Sequence, residues 1–319
     1  MSKKKSLVKH LKKAFFKIPK LTDKEVSVLK TLWYKQIFDC PMSLYEISYY
    51  LIGEKVSSWE ELKTVVNDLF RKDLVEFKSG KYYLKNAKEP GSSSKRNDSQ
   101  DHIKIAELAA NYISKIPWIK MICITGSVAA LNASKNDDID LFMVTGKNRV
   151  WISRLLVVLM LKITNLYRTN TNYAGKICPN IILDESNLEW PKTKQTLYTA
   201  NEIVMMRPIY VKNETYIKFI DSNSWIEKYF PNFYWEKLAK NPETTNKFVF
   251  EFGFSKDEGS KIIDVLETLL RTMQKMYMYK KKTTEITKTN LIHFNKVDWS
   301  NKILDEFSEF DRILEITRE

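Results

Sequence analysis

The stretch from Met121 to Val144 most constrains the fold. It reads Met121-Ile122-Cys123-Ile124-Thr125, then Gly126-Ser127, a ten-residue spacer, and Asp138-Ile139-Asp140-Leu141-Phe142-Met143-Val144. Two short apolar runs bounded by Gly and by a polar loop have the length and composition of buried strands. Gly126 lets the backbone turn sharply and approach a ligand, and Ser127 opens a short helical stretch, Val128 to Ala133. A strand end meeting a helix N-terminus offers unpaired N–H groups to a phosphate, with the Ser127 hydroxyl as a further donor. Residues two apart on a strand share a face, so Asp138 and Asp140 project together while Ile139 and Leu141 point into the core. Two carboxylates on one face suit Mg²⁺, which clamps a triphosphate and activates an attacking oxygen.

At these residues the chain resembles the DNA polymerase β-like nucleotidyltransferase superfamily, whose signature is Gly-Ser, a spacer of this length, then Asp-hydrophobic-Asp-hydrophobic. The resemblance covers about residues 103 to 190. It implies a mixed sheet flanked by helices, a two-metal Mg²⁺ site on Asp138 and Asp140, and transfer of a nucleoside monophosphate from an NTP to a hydroxyl or phosphate acceptor. The superfamily usually carries a third carboxylate on a later strand. Here the matching strand is Ile177-Cys178-Pro179-Asn180-Ile181-Ile182-Leu183-Asp184, and the matching position is Asn180, which brings an oxygen but no charge. Asp184 is the alternative acid, four residues and roughly 13 Å further along. Gly126 and Ser127 are the expected triphosphate contacts, with Lys147, Arg149 and Arg154 as weaker candidates.

Composition fits a soluble chain of several domains: 319 residues, 44% hydrophobic. Cys40, Cys123 and Cys178 lie far apart and read as free thiols of a reducing cytoplasm, and the scattered His10, His102 and His293 imply no structural metal. The most apolar stretch, Val150 to Tyr167, is broken by Arg154 and Lys162, so it reads as a buried crossover helix and not as a membrane span. The net charge is +13, and residues 1–20 alone hold eight lysines and no acid. This basic segment, with Leu7, Val8, Leu11, Phe15 and Phe16, is a candidate for contact with a nucleic-acid backbone or an anionic surface.

Residues 21–86 form a second legible unit. Thr22-x-x-Glu25, Ser43-x-x-Glu46 and Ser58-x-x-Glu61 are capping-box patterns, each followed by an apolar-periodic run. Then Leu74 to Lys78, Ser79-Gly80 and Lys81 to Leu84 read as a hairpin. Three helices and a two-stranded wing resemble a winged helix-turn-helix domain. Its third helix opens Ser58-Trp59-Glu60-Glu61, and acids there oppose reading of base edges. The basic residues Arg71, Lys72, Lys78, Lys81 and Lys85 instead favour contact with an RNA backbone, a substrate or a protein.

Residues 87–102 read as linker, 103–195 as the nucleotidyltransferase core and 196–319 as a helical C-terminal region. In that region a helix from Leu197 to Arg207 ends at Pro208, and the aromatic cluster Trp225 to Trp235 reads as core more than as a base-stacking surface. The expected fold class is α+β. The expected function is a Mg²⁺-dependent nucleotidyltransferase that releases pyrophosphate, its acceptor an RNA end, a protein hydroxyl or a small molecule. The alternative is a catalytically degenerate relative acting as a nucleic-acid-binding or interaction module through its winged helix.

Overall fold

The computed structural model describes residues 21–87, 94–239, 260–279, 286–293 and 299–316. The lysine-rich segment 1–20 and Lys280-Lys281-Lys282 lie outside them. The chain begins with α1 (Asp23–Gln36), α2 (Leu44–Tyr49), α3 (Trp59–Arg71) and the hairpin β1 (Val75–Lys78) with β2 (Lys81–Leu84). It continues with α4 (Ser94–Ile113), β3 (Ile119–Ile124), α5 (Gly126–Ala129), β4 (Ile139–Thr145), α6 (Val150–Ile163), β5 (Ile177–Asp184) and α7 (Leu197–Met205). The remainder is β6 (Arg207–Val211), α8 (Thr215–Ser222), α9 (Pro231–Ala239), α10 (Ser260–Tyr279), β7 (Ile286–Thr287), β8 (Leu291–His293) and α11 (Ser300–Ile316).

Capping chemistry sets the first three helix starts. Thr22 with Glu25 and Ser43 with Glu46 form complete reciprocal boxes. At α3 only half the box closes: Ser58 takes the Glu61 N–H, while the Glu61 carboxylate reaches the Ser57 N–H and Lys24. The apolar stripes of these helices meet in one core with Phe310, Ile313 and Leu314 of α11. This unit is bonded to the rest of the molecule through Trp33 Nε1 to the Glu306 carbonyl and through Asn232, which bridges Ser48 and Val56.

The main sheet is mixed and has six strands in the order β6-β3-β4-β5-β8-β7. Only β4 and β5 run parallel. A parallel pair requires a crossover, and α6 supplies it, as the apolar run Val150 to Tyr167 implies. Among the described residues no helix is long and apolar enough to cross a membrane. Strand alternation sends Met121, Cys123, Phe142 and Val144 to a core shared with α7, α8 and α9, and Ile122, Ile124, Leu141 and Met143 to one shared with α4 and α6. Each such side chain, fully buried, contributes on the order of 1.5–3 kcal/mol.

Four expectations change. The linker read across 87–102 is helix from Ser94, because α4 starts as a solvent-facing helix whose only early inward residues are the polar Ser99 and His102. Ser99 Oγ accepts the Ala133 N–H at 3.0 Å, tying α4 to the loop before Asp138. The C-terminal region is not wholly helical: β6, β7 and β8 all lie beyond residue 195 and complete the sheet. Pro208 does not end a helix at Arg207; α7 ends at Met205 and Pro208 sits in β6, an edge strand, where its missing N–H costs no ladder bond. The helix after Gly126 is only four residues long and does not reach Ala133. The aromatic cluster is mainly core: Phe230, Phe233 and Tyr234 are buried, and Trp235 is exposed.

Candidate active site

The start of β4, the bulge in β5 and the turn after β3 meet at one end of the sheet. The β4–β5 register pairs Asp140 with Cys178 and Leu141 with Pro179, then skips Asn180 before pairing Phe142 with Ile181. Asn180 is the extra residue of a β-bulge, a device that re-aims side chains beside functional sites. Asp138, Asp140 and Cys178 thereby converge, with one oxygen or sulfur from each within 4.8 Å of the others. The Cys178 thiol stands beside the Asp140 carboxylate. Asn180 Oδ1 is buried without a hydrogen-bond partner.

Gly126 supplies the remaining wall. Its φ of +65° lies in the left-handed region, and a Cβ there would stand 3.1 Å from Asp140 Oδ2. Thr125 ties down the Asp140 backbone, its N–H donating to the Asp140 carbonyl at 2.9 Å. The exposed Ser127 donates its hydroxyl to Asp137 Oδ2 at 3.1 Å. A helix of four residues has too few aligned peptides for a useful dipole, so the turn at Gly126 and the Ser127 hydroxyl are what this segment offers a ligand.

The charges here are strained against one another. Burial, and then the charge of Asp138, push Asp140 up to about 7, partly offset by Cys178 and Arg168. Burial and the two carboxylates hold the Cys178 thiol well above its ordinary range, so it is a neutral S–H. Arg168 Nε lies 2.5 Å from Asp138 Oδ2 as a charge pair without hydrogen-bond alignment. Burial also raises Glu202 of α7 to about 7, and this charge in turn disfavours ionised Asp140. Lys35 of α1, lowered by burial to about 8, bonds Asn201 Oδ1 at 2.8 Å and sits 3.8 Å over the Tyr50 ring.

All these groups line a cavity of about 2590 Å³, apart from Asn201 and Asp137. A small-molecule pocket typically occupies roughly 300–1,000 Å³, so there is room here for more than one small molecule. Besides Lys35 and Tyr50, three further lysine–aromatic pairs line it: Lys162 over Tyr167, Lys237 over Tyr49 and Lys302 over Trp299. Each is a cation–π contact at 5.0–5.6 Å from the ring centroid.

Of the residues read from sequence, Gly126, Ser127, Asp138, Asp140, Asn180 and Arg154 line this cavity. Arg154 Nη1 also donates to Gln274 Oε1. Lys147, Arg149 and Asp184 do not line it. Lys147 and Arg149 follow the far end of β4, about 20 Å along a seven-residue strand from Asp138. The Lys147 N–H bonds Glu185, and Arg149 pairs with Asp264 at 2.5 Å. Asp184 pairs with Thr145 in the ladder and is fully buried. Its carboxylate accepts from the Asn148 N–H at 3.0 Å, the Ser186 N–H at 2.9 Å and Ser186 Oγ at 2.5 Å, the contacts of a turn anchor.

Sequence reasoning missed Cys178, Arg168, Lys35 and Glu202. A parallel β4–β5 pair joined by α6 carried a signal for Cys178, since a register placing it beside Asp140 follows from aligning the two strand starts. Arg168 lies in the irregular stretch before β5 and had none.

Asp138 and Asp140 would suit one hard divalent cation, and Asn180 Oδ1, a neutral oxygen without a hydrogen-bond partner, lines the same cavity. Cys178 does not stand in for a third carboxylate, because a neutral thiol is a poor ligand for Mg²⁺. In the N-terminal unit, four of the five basic residues read as contacts for an RNA backbone, a substrate or a protein are paired within the unit: Arg71 with Asp68, Lys72 with Glu25, Lys81 with Glu46, and Lys85 with Asp73 and Glu76. Comparison of the chain with protein-family models, with curated proteins and with solved structures gives no match.

Proposed function

We propose that this chain is a Mg²⁺-dependent nucleotidyltransferase of the DNA polymerase β-like kind, with a winged-helix N-terminal unit, transferring an NMP from an NTP to an acceptor hydroxyl with release of pyrophosphate. The observation that carries this reading is the convergence of Asp138 and Asp140 on one strand face, walled by the left-handed turn at Gly126. A divalent cation bound there supplies charge neutralisation of the triphosphate and a lower pKa for the attacking hydroxyl. Asp138 and Asp140 hold the cation. Asn180 Oδ1, buried without a partner, would accept a hydrogen bond from substrate. Gly126 lets the phosphates approach the backbone, and Ser127 exchanges Asp137 for a phosphate oxygen. Arg168, paired with Asp138 in this structure, would be free to meet phosphate if a cation were held on Asp138, which would link substrate binding to assembly of the site.

The lysine–aromatic wall favours a single-stranded polynucleotide acceptor over a small molecule or a protein hydroxyl. Aromatic rings stack successive bases whatever the sequence, and ammonium groups beside them meet phosphates. The test is pyrophosphate release with each of the four NTPs, Mg²⁺ and total RNA, for wild type and Asp138→Asn. Release that needs RNA and is lost in Asp138→Asn is the expected result. A second reading, a degenerate site that binds nucleotide or nucleic acid without turnover, is favoured by the Arg168–Asp138 pair and the missing third acid. NTP binding without pyrophosphate release under any acceptor would select it.

A further inference from the structure

Helix α10 is amphipathic in the reverse sense for a surface helix. Its polar residues Glu267 and Gln274 are buried. Glu267 accepts the N–H groups of Trp151 and Ile152, both at 2.8 Å, and Gln274 bonds the Trp151 carbonyl at 2.8 Å and Arg154. These bonds seat α10 on the first turns of α6 and fix which face turns outward. That outward face carries Ile262, Val265, Leu266, Leu269, Met273 and Met276, exposed by between 41% and 72%. Together they leave on the order of 700 Å² in water, more than the roughly 300–600 Å² of the largest patch on a typical monomer and close to the ~800 Å² a standard interface takes from each partner.

We propose that this face is the seat of a second copy of this chain, α10 against α10, antiparallel, across a two-fold axis at Leu269. The stripe is symmetric about that residue: Ile262 and Met276 lie seven positions to either side, and Val265 and Met273 four. A two-fold there sets Ile262 of one copy against Met276 of the other, Val265 against Met273, and Leu269 against itself, as an isologous contact demands. The charges agree. Lys261 and Lys275 fall opposite Tyr277 and Ile263, so no like charges meet across the contact, while Glu267 and Gln274 are turned away from it onto α6. A parallel, in-register pair would instead set every charge against its own kind, a destabilising arrangement.

The test uses the full chain in solution, with mass by light scattering and oxidative cross-linking of single-cysteine additions. Wild type is expected as a dimer whose thermal midpoint rises with concentration, and Leu269→Lys as a monomer with unchanged helical signal and a concentration-independent midpoint, since Leu269 is outside the core. Leu269→Cys is expected to give a disulfide dimer above the wild-type level. Ile262→Cys is not, because its two copies lie 14 residues, about 21 Å, apart along the paired helices. An equal mixture of Ile262→Cys and Met276→Cys is expected to cross-link. A wild-type monomer at all concentrations would overturn the proposal, as would a dimer indifferent to Leu269→Lys or Ile262→Cys cross-linking to itself. A monomer that binds anionic lipid vesicles through this face would overturn it in favour of a membrane surface.

Discussion

Gly126→Ala isolates the part of the site that depends on backbone geometry. At φ +65° an L-residue is held in the left-handed region, which costs roughly 1–2 kcal/mol. That is a fraction of the ~5–15 kcal/mol by which domains are stable, so the chain still folds and its midpoint drops by several degrees. The new Cβ also stands 3.1 Å from Asp140 Oδ2, too close unless one of them gives by a few tenths of an ångström. The strand backbone is fixed by two ladders, so the carboxylate moves. A misplacement of 1 Å at a reacting centre can cost about 10²-fold, which puts a shift of a few tenths on the order of tenfold. Gly53→Ala is the control. Its φ is +83° and nothing lies within 4 Å of its Cβ, so it carries the backbone cost without touching the site. The assay is pyrophosphate release beside thermal unfolding for both variants. Similar midpoints with turnover lost only in Gly126→Ala are expected. Wild-type turnover in Gly126→Ala, or equal loss in Gly53→Ala, would refute the role given to this contact.

Asp140→Asn is expected to abolish the proposed turnover and yet to stabilise the protein in the absence of divalent metal. The folded state raises Asp140 from 3.8 to about 7, so the native chain binds the extra proton, and wild-type stability falls as pH rises from about 4 to 7. The variant's advantage is therefore nil near pH 4 and about 2–4 kcal/mol above pH 7, read from denaturant unfolding in a chelator at pH 4 and 8. Arg168→Gln removes the cation that competes for Asp138 and is expected to tighten Mn²⁺ binding severalfold by calorimetry while weakening NTP binding; unchanged Mn²⁺ affinity would show the ion pair to be incidental. Asn180→Asp places a charged oxygen where Oδ1 is unpartnered and is expected to raise metal affinity. Asp184→Asn unties the turn after β5 at a cost of about 1–3 kcal/mol without altering turnover per folded molecule. Severe loss of turnover in Asp184→Asn, with Asn180→Asp neutral, would reverse those two assignments.

What the sequence made legible here is what depends on local order. Gly126-Ser127 and Asp138-Ile139-Asp140 are close in the chain, and strand periodicity alone puts both carboxylates on one face. Three helix starts followed from side-chain capping, which reaches only three residues. The third position at the site is different in kind. Alternation along β5 treats Asn180 and Asp184 as equivalent in parity, but the bulge at Asn180 breaks that parity: Asp184 ends opposite Thr145, and Cys178 arrives beside Asp140. A bulge is set by how two strands pair, and nothing within either strand records it. Lys35 is more distant still, since its ammonium reaches Asn201 from a helix 166 residues away in sequence. The same holds for the polar face of α10, whose Glu267 and Gln274 look solvent-facing until α6 presents two N–H groups and a carbonyl to them. Buried polar groups are retained where a partner satisfies them, so hydropathy misassigns a helix face wherever tertiary hydrogen bonds have inverted it. In α10 that inversion carries a consequence for assembly: once its polar side is occupied, the apolar stripe around Leu269 faces outward and joins none of the cores formed by the described residues.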